Sequence, residues 1–166
     1  MRLIIIFLAL FFTNLEAKNQ PNFVLILIDD LGLTDLEPFG GEISTPNINS
    51  LAQRGLMFTN YHTSPECAPS RAMLLTGMDN HKTGIPMIPE VLPRNLRKNK
   101  GYEGYLIPEA LTIAEVLKKS GYRTYMTGKW HLGFGGEHKP SLPINRGFDQ
   151  TFILDATGGD NYSNHS

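Results

Sequence analysis

Asn22 to Gly32 reads NFVLILIDDLG, an unbroken apolar run closed abruptly by two aspartates and a glycine. Such a run lacks the alternation of a strand with one wet face, so it predicts a strand buried on both faces, as in a parallel sheet covered by helices. Parallel strands need crossover connections, which restricts what the following residues can be. STPNINSLAQRG offers Thr45 as N-cap, Pro46 at the first helical position and Gly55 as a stop, which predicts a short helix. GLMFTNYHT reads as a second strand, and a helix carrying Ala72, Met73, Leu74 and Leu75 is expected to begin just after Cys67. From Asp79 to Ile107 the chain is rich in Pro, Gly, Asn and Lys and reads as a long surface excursion. In LTIAEVLKKSGY, Thr112 and Glu115 form a capping box, Ile113, Val116 and Leu117 share a face, and Gly121 ends the helix. YRTYMTGKWHLG then reads as a short strand running into a glycine-bounded loop. The expected fold class is α/β, a mostly parallel sheet flanked by helices.

The first residues bear on the compartment. Met1-Arg2 is a short positive segment, Leu3 to Phe12 is almost wholly apolar, and Ala17 is the small residue that a signal peptidase accepts. Residues 1–17 are therefore expected to be a secretory signal, with 18–166 following as part of one domain. An apolar core of about ten residues is too short to cross about 30 Å of hydrocarbon, and no other stretch is apolar enough, so no membrane association is expected after cleavage. With 15 Lys and Arg against 16 Asp and Glu, the net charge of −1 leaves no basic field to hold a nucleic acid. Arg94, Arg97, Lys98 and Lys100 cluster among Asn and Gly and read as a solvated loop. A single cysteine cannot close an intrachain disulfide. In an exported protein it is buried and inert, paired between chains, or chemically used.

Ligands of open α/β sheets bind beyond the carboxyl ends of the strands. Asp29-Asp30, the segment around Cys67, and Lys129 with His131 each follow a predicted strand, so all three are expected at one edge. Adjacent aspartates repel one another, and a divalent cation with oxygen preference relieves both charges, although a solvated turn accommodates such a pair too. Cys67 lies near a predicted helix N-terminus and four residues before Arg71, so dipole and guanidinium both favour an anion there. Lys129 and His131 are two residues apart and point to one side of an extended segment, as a fixed positive charge and a proton carrier. Each alone is equally at home in a surface loop over a buried Trp130.

Together these segments resemble a known family. CAPSRAMLLTG, preceded by VLILIDDLGLTDLEPFG and followed by GYRTYMTGKWHLG, is similar to the signature of type I sulfatases, of the alkaline-phosphatase-like superfamily. GYEGYLIPEALTIAEVL, close in flavour to bacterial arylsulfatases, and LPINRGFDQTF extend the resemblance from Asn22 to Phe152. It implies a sulfuric ester hydrolase in which Cys67 is oxidised during export to formylglycine, whose hydrate is the nucleophile. A cysteine that is a substrate for modification has reason to be unpaired, and Pro69 and Arg71 belong to the sequence that the formylglycine-generating machinery reads. The resemblance further implies that Asp29 and Asp30, with the modified Cys67, ligate Ca2+. It implies that Arg71 holds the modified residue, that Lys129 binds the sulfate group, and that His131 hydrogen-bonds the hydrate. Asp35 and Gly40 are expected to shape a loop, and His81 is a minor candidate for the pocket. Asn161 and Asn164 fit glycosylation sequons, read as coincidental in a bacterial setting.

Sulfatases continue well beyond this length, and their later part supplies further calcium ligands, a second histidine and a second lysine. The chain is accordingly expected to be the incomplete N-terminal portion of a sulfatase domain, inactive by itself. The resemblance also implies a sulfate-ester substrate and an exported location, periplasmic or secreted, or the secretory pathway or lysosome in a eukaryote. The alternatives are a phosphodiesterase or phosphonate hydrolase of the same superfamily, and a noncatalytic anion- or metal-binding fragment.

Overall fold

The computed structural model of the chain describes residues 20–133 and 139–154. The expected signal at 1–17 and the sequons at Asn161 and Asn164 lie outside the described residues. The chain divides into two compact units, residues 1–31 and 32–166. In the first, residues 20–31 form no helix or strand and are solvent-exposed, Val24 by 84%.

The strand expected from the apolar run at 22–28 therefore does not form, and neither does the one expected at 55–63, where Leu56 and Phe58 are exposed. The physical reason is that a strand is held by its neighbours. A doubly buried strand needs a hydrogen-bonding partner on each side and helices on both faces. Among the described residues the one ladder joins β1 (Tyr125–Lys129) to β2 (Gln150–Leu154), in parallel, with Tyr125 opposite Gln150 and Lys129 opposite Leu154. Parallel pairing is thus present on a small scale. No α-helix occurs among the described residues between the two strands, where short 3-10 turns at Lys139–Ser141 and Pro143–Asn145 are found instead.

Helices form where local signals specify them. Helix α1 (Pro46–Arg54) opens after Thr45 with proline in its first turn. Thr45 does not cap it by a side-chain bond; its hydroxyl accepts from the amide of Glu37, whose carboxylate in turn accepts from the Thr45 amide. Helix α2 (Cys67–Thr76) begins at the cysteine and stops at Gly77, whose φ of 68° is left-handed and suits a residue without Cβ. After the single turn α3 (Asn80–Thr83), helix α4 (Ile113–Lys119) carries the full capping box: the Thr112 hydroxyl accepts from Glu115 N, and the Glu115 carboxylate from Thr112 N. Its buried face differs from the expected one. Ala114 is buried, while Ile113 and Val116 are about half exposed.

The core of the second unit gathers Ala68 and Ala72 of α2 with Ile85, Leu106, Trp130 and Leu132, all fully buried. Trp130 donates its indole N–H to the Ser141 carbonyl at 3.0 Å and meets Phe148 edge-on. The stretch from Asp79 to Ile107 contributes Ile85 and Leu106 to this core, and Thr83, Pro89 and Leu92 are buried as well. The expected surface excursion is therefore in large part an inner wall. Its many Pro, Gly, Asn and Lys residues carry a loop signature, and they mask the few apolar positions that become buried.

Asp149 fastens the start of β2. Its carboxylate accepts from the Thr124 amide at 3.0 Å and pairs with the Lys118 ammonium of α4 at 2.7 Å. The Lys118 hydrogen bond first, then that of Thr124, hold the carboxyl below its ordinary value near 3.8 against the opposing effect of burial. A lowered folded-state pKa means that this group contributes stability above the unfolded value and loses it as pH falls through the folded one. Asp149→Asn is expected to melt below the parent near neutrality, with the gap closing as pH drops below about 4. Thermal melts of both proteins across that range test this; a gap that persists in acid would contradict it.

Candidate active site

Helix α2 places Cys67 at its first turn, half-buried and free of any disulfide. Two nitrogen groups converge on its sulfur. The Lys129 ammonium, at the end of β1, donates to Sγ at 3.5 Å, and Nδ1 of His131 lies 3.4 Å from the same atom. His131 is fully buried and takes a φ of 60°. It is therefore not in the extended segment expected for it. A left-handed histidine costs about 1–2 kcal/mol, and such conformations persist where the surroundings over-determine them. Here the flanking backbone is held on both sides, by Trp130 N donating to Leu154 O and Leu106 N donating to Leu132 O. The turn at His131, rather than strand alternation, brings it beside Lys129 over one sulfur.

Arg71 is buried one turn further along α2, and its guanidinium donates to the backbone carbonyl of Lys129 at 2.6 Å. It thus ties the helix to the strand end that carries the lysine. Glu66 adds a second tie, its carboxylate accepting from the Ile88 amide at 2.6 Å. That bond brings the segment at Pro89–Val91 against the site, and Glu90 Oε2 lies 3.0 Å from Nε2 of His131.

The sequence-predicted Cys67, Arg71, Lys129 and His131 are therefore assembled within one unit. Asp29 and Asp30 belong to the other unit, where both side chains are exposed and Asp30 has a left-handed φ of 56°. Among the described residues no group of three or more His, Cys, Asp or Glu is placed to hold a metal ion. Asp29 and Asp30 are the hard oxygen donors that calcium prefers, but two carboxylates are part of a set, since that ion takes six to eight oxygens. His81 stands outside the cluster, its side chain half exposed, beside Asp79 and edge-on to Tyr102. Asp35 shapes its loop as expected, accepting from the Gly32 amide at 2.7 Å. Glu66 and Glu90 were missed by sequence reasoning. Nothing local marks Glu90, because a carboxylate among prolines reads as a solvated loop.

The arrangement has one face for an anion and one for a proton. The ammonium and the N-terminal end of α2 favour negative charge, and the imidazole nitrogen can exchange a proton with whatever atom is attached to the β-carbon of residue 67. The matching family model, Sulfatase, covers residues 21–166. The chain belongs to the sulfatase family. This sulfatase chain is 43% identical over 155 residues to an uncharacterized sulfatase of Schizosaccharomyces pombe, covering 92% of the chain and 27% of that protein. It is 40% identical over 146 residues to an arylsulfatase of Klebsiella aerogenes, covering 88% of the chain and 30% of that protein. Among solved structures, that of Ps i-CgsB matches with a TM-score of 0.60 at 30% identity, over 80% of this chain and 27% of the other. The sulfatase chain thus spans under a third of the length of these relatives.

Proposed function

We propose that this chain forms the nucleophile-bearing part of an exported sulfuric ester hydrolase of arylsulfatase type, completed by further residues of a longer protein. The observation that carries the reading is the convergence of Lys129 Nζ and His131 Nδ1 on Cys67 Sγ, within 3.5 Å. In the mature enzyme the sulfur stands in for oxygen, since residue 67 would be formylglycine made by a dedicated modifying machinery. Its hydrate supplies one hydroxyl to attack sulfur, breaking the ester S–O bond and releasing the alcohol or phenol, and a second whose deprotonation lets sulfate depart as the aldehyde is restored.

The chain's own residues have definite tasks in that scheme. Lys129 holds a sulfate oxygen and offsets its charge, in a position fixed through the Arg71 bond to its carbonyl. His131 accepts a proton at Nδ1 from the oxygen on residue 67. Asp29 and Asp30 would hold Ca2+, whose contribution when bound is Lewis-acid polarisation of a sulfate oxygen. The half-buried Cys67 and its nitrogen neighbours suit a hydrated aldehyde, which needs both a donor and an acceptor nearby. The proposed location is the periplasm or the exterior, or the secretory pathway or lysosome in a eukaryotic host.

The test is the mass of the tryptic peptide Gly55 to Arg71 from protein made in its native host. A mass lowered by the change from thiol to aldehyde is expected. An unmodified thiol throughout would sink the formylglycine reading.

A further inference from the structure

We infer that Glu90 is a positioning residue for His131, selecting the imidazole tautomer that leaves Nδ1 as the acceptor over residue 67. The inference rests on the reading of His131 as the proton acceptor of a sulfate-ester hydrolase. Glu90 lies outside every motif that carries the family resemblance, in the stretch between Asp79 and Ile107 whose composition suggests a solvated loop.

The argument is one of donors and acceptors. A carboxylate can only accept, and Glu90 Oε2 lies 3.0 Å from His131 Nε2, so that nitrogen carries the proton. In the neutral ring the other nitrogen then presents a lone pair. That nitrogen, Nδ1, lies 3.4 Å from Cys67 Sγ. The sulfur receives a donor of its own from the Lys129 ammonium at 3.5 Å, so its proton is directed to Nδ1. These three contacts then run one way: Lys129 to residue 67, residue 67 to His131, His131 to Glu90. The opposite tautomer would set two acceptors against each other at Nε2 and, at Nδ1, aim a donor at a sulfur that already accepts one. An acceptor oriented by a third group is the general logic of activated nucleophiles.

The position of Glu90 is itself built. Glu66, the residue before Cys67, accepts from Ile88 N, and Arg97 donates to the Pro89 carbonyl at 3.0 Å. Pro89 is buried, as is Leu92 beyond it. The carboxylate is thus carried on a short 3-10 turn clamped on both sides rather than on a free loop. His131 is fully buried, so no solvent molecule competes for the ring.

The experiment pairs a spectroscopic readout with kinetics on the full-length protein. Histidine labelled with 15N, in protein carrying unmodified Cys67, is expected to give a His131 signal protonated at Nε2 alone, assigned by its loss in His131→Asn. In Glu90→Ala that signal should become a mixture of tautomers. In the matured enzyme, Glu90→Ala is expected to lower kcat on an aryl sulfate by about 10- to 100-fold with KM within about twofold, and Glu90→Gln to recover most of it, since its carbonyl also accepts from Nε2. A His131 protonated at Nδ1 or at both nitrogens, a tautomer indifferent to Glu90→Ala, or a defect expressed in KM would each overturn the inference. Should Glu90→Ala fail to fold, Glu90→Gln and Glu90→Asp decide it, the aspartate being too short to reach. Should the parent enzyme leave sulfate esters untouched, the proposed function falls, while the tautomer spectra still decide the role of Glu90.

Discussion

Cys67→Ala is expected to abolish sulfate-ester hydrolysis by the full-length enzyme, with a loss of at least about 10⁴-fold in kcat. The reason is that Lys129 and His131 both converge on the atom attached to the β-carbon of residue 67, the nucleophile in the proposed function, and alanine removes that atom. Lys129 cannot substitute as nucleophile, because its ammonium carries no lone pair. Folding should survive, because Cys67 is half-buried, and losing one partly exposed sulfur costs about 1 kcal/mol. Steady-state kinetics with an aryl sulfate, alongside a thermal melt, would check both halves. A variant that retains activity within about tenfold of the parent would exclude residue 67 as the nucleophile. Its loss should also exceed that of Glu90→Ala by a wide margin, since one change removes a reacting atom and the other only misaligns its proton acceptor.

The largest effect on stability is expected at Arg146, which plays no part in the site. Its side chain is buried, with one terminal nitrogen donating to the carbonyls of Leu106 and Ile107 at 3.0 and 3.1 Å. The other donates to Ala110 O at 2.5 Å and pairs with Glu115 at 3.3 Å. One guanidinium therefore satisfies three backbone carbonyls and the carboxylate of the α4 capping box. Thr112 returns the contact by donating its hydroxyl to Arg146 O at 2.7 Å. Arg146→Ala would take the donor from the buried Leu106 and Ala110 carbonyls and one of two donors from Ile107 O and the Glu115 carboxylate, at about 3–5 kcal/mol, a large part of the stability of a domain of this size. Arg146→Lys should rescue little, because a single ammonium cannot address diverging carbonyls as a planar fork does. Denaturant unfolding would measure both. A midpoint unchanged in Arg146→Ala would mean that the fork is dispensable, whereas kcat per folded molecule should stay near that of the parent.

The backbone beside that fork explains why Gly147 follows it. Gly147 has a φ of 92°, and a Cβ there would stand 2.4 Å from the amide of Glu115. The chain must pass this close for the Arg146 guanidinium to reach the carbonyls around α4, so the pair Arg146-Gly147 acts as one structural device.

Several elements of this architecture could be read from the sequence, and they share a physical property. The capping box of α4 and the proline opening and Gly55 end of α1 all depend on residues close together in the chain, so the text contains both partners. The candidate cluster was readable for a different reason. Cys67, Arg71, Lys129 and His131 stand in a linear pattern similar to a family signature, and in the fold Lys129 and His131 lie against Cys67 while Arg71 bonds the Lys129 carbonyl.

What only the tertiary structure decided involves partners distant in the chain. The apolar runs at 22–28 and 55–63 have the composition of strands, yet a strand exists by pairing, and composition names no partner. Helix α4 buries Ala114 and leaves Ile113 and Val116 exposed, because which face is covered depends on what packs against it. His131 adopts a left-handed backbone that its own residue type disfavours, held by hydrogen bonds from Trp130 to Leu154 and from Leu106 to Leu132. Glu90 meets His131 across a separation of 41 residues, through a turn that Glu66 and Arg97 clamp. Short-range hydrogen bonding and linear motif thus determined the helices and the candidate site residues. The orientation of the histidine's proton was left to long-range contacts that no local pattern encodes.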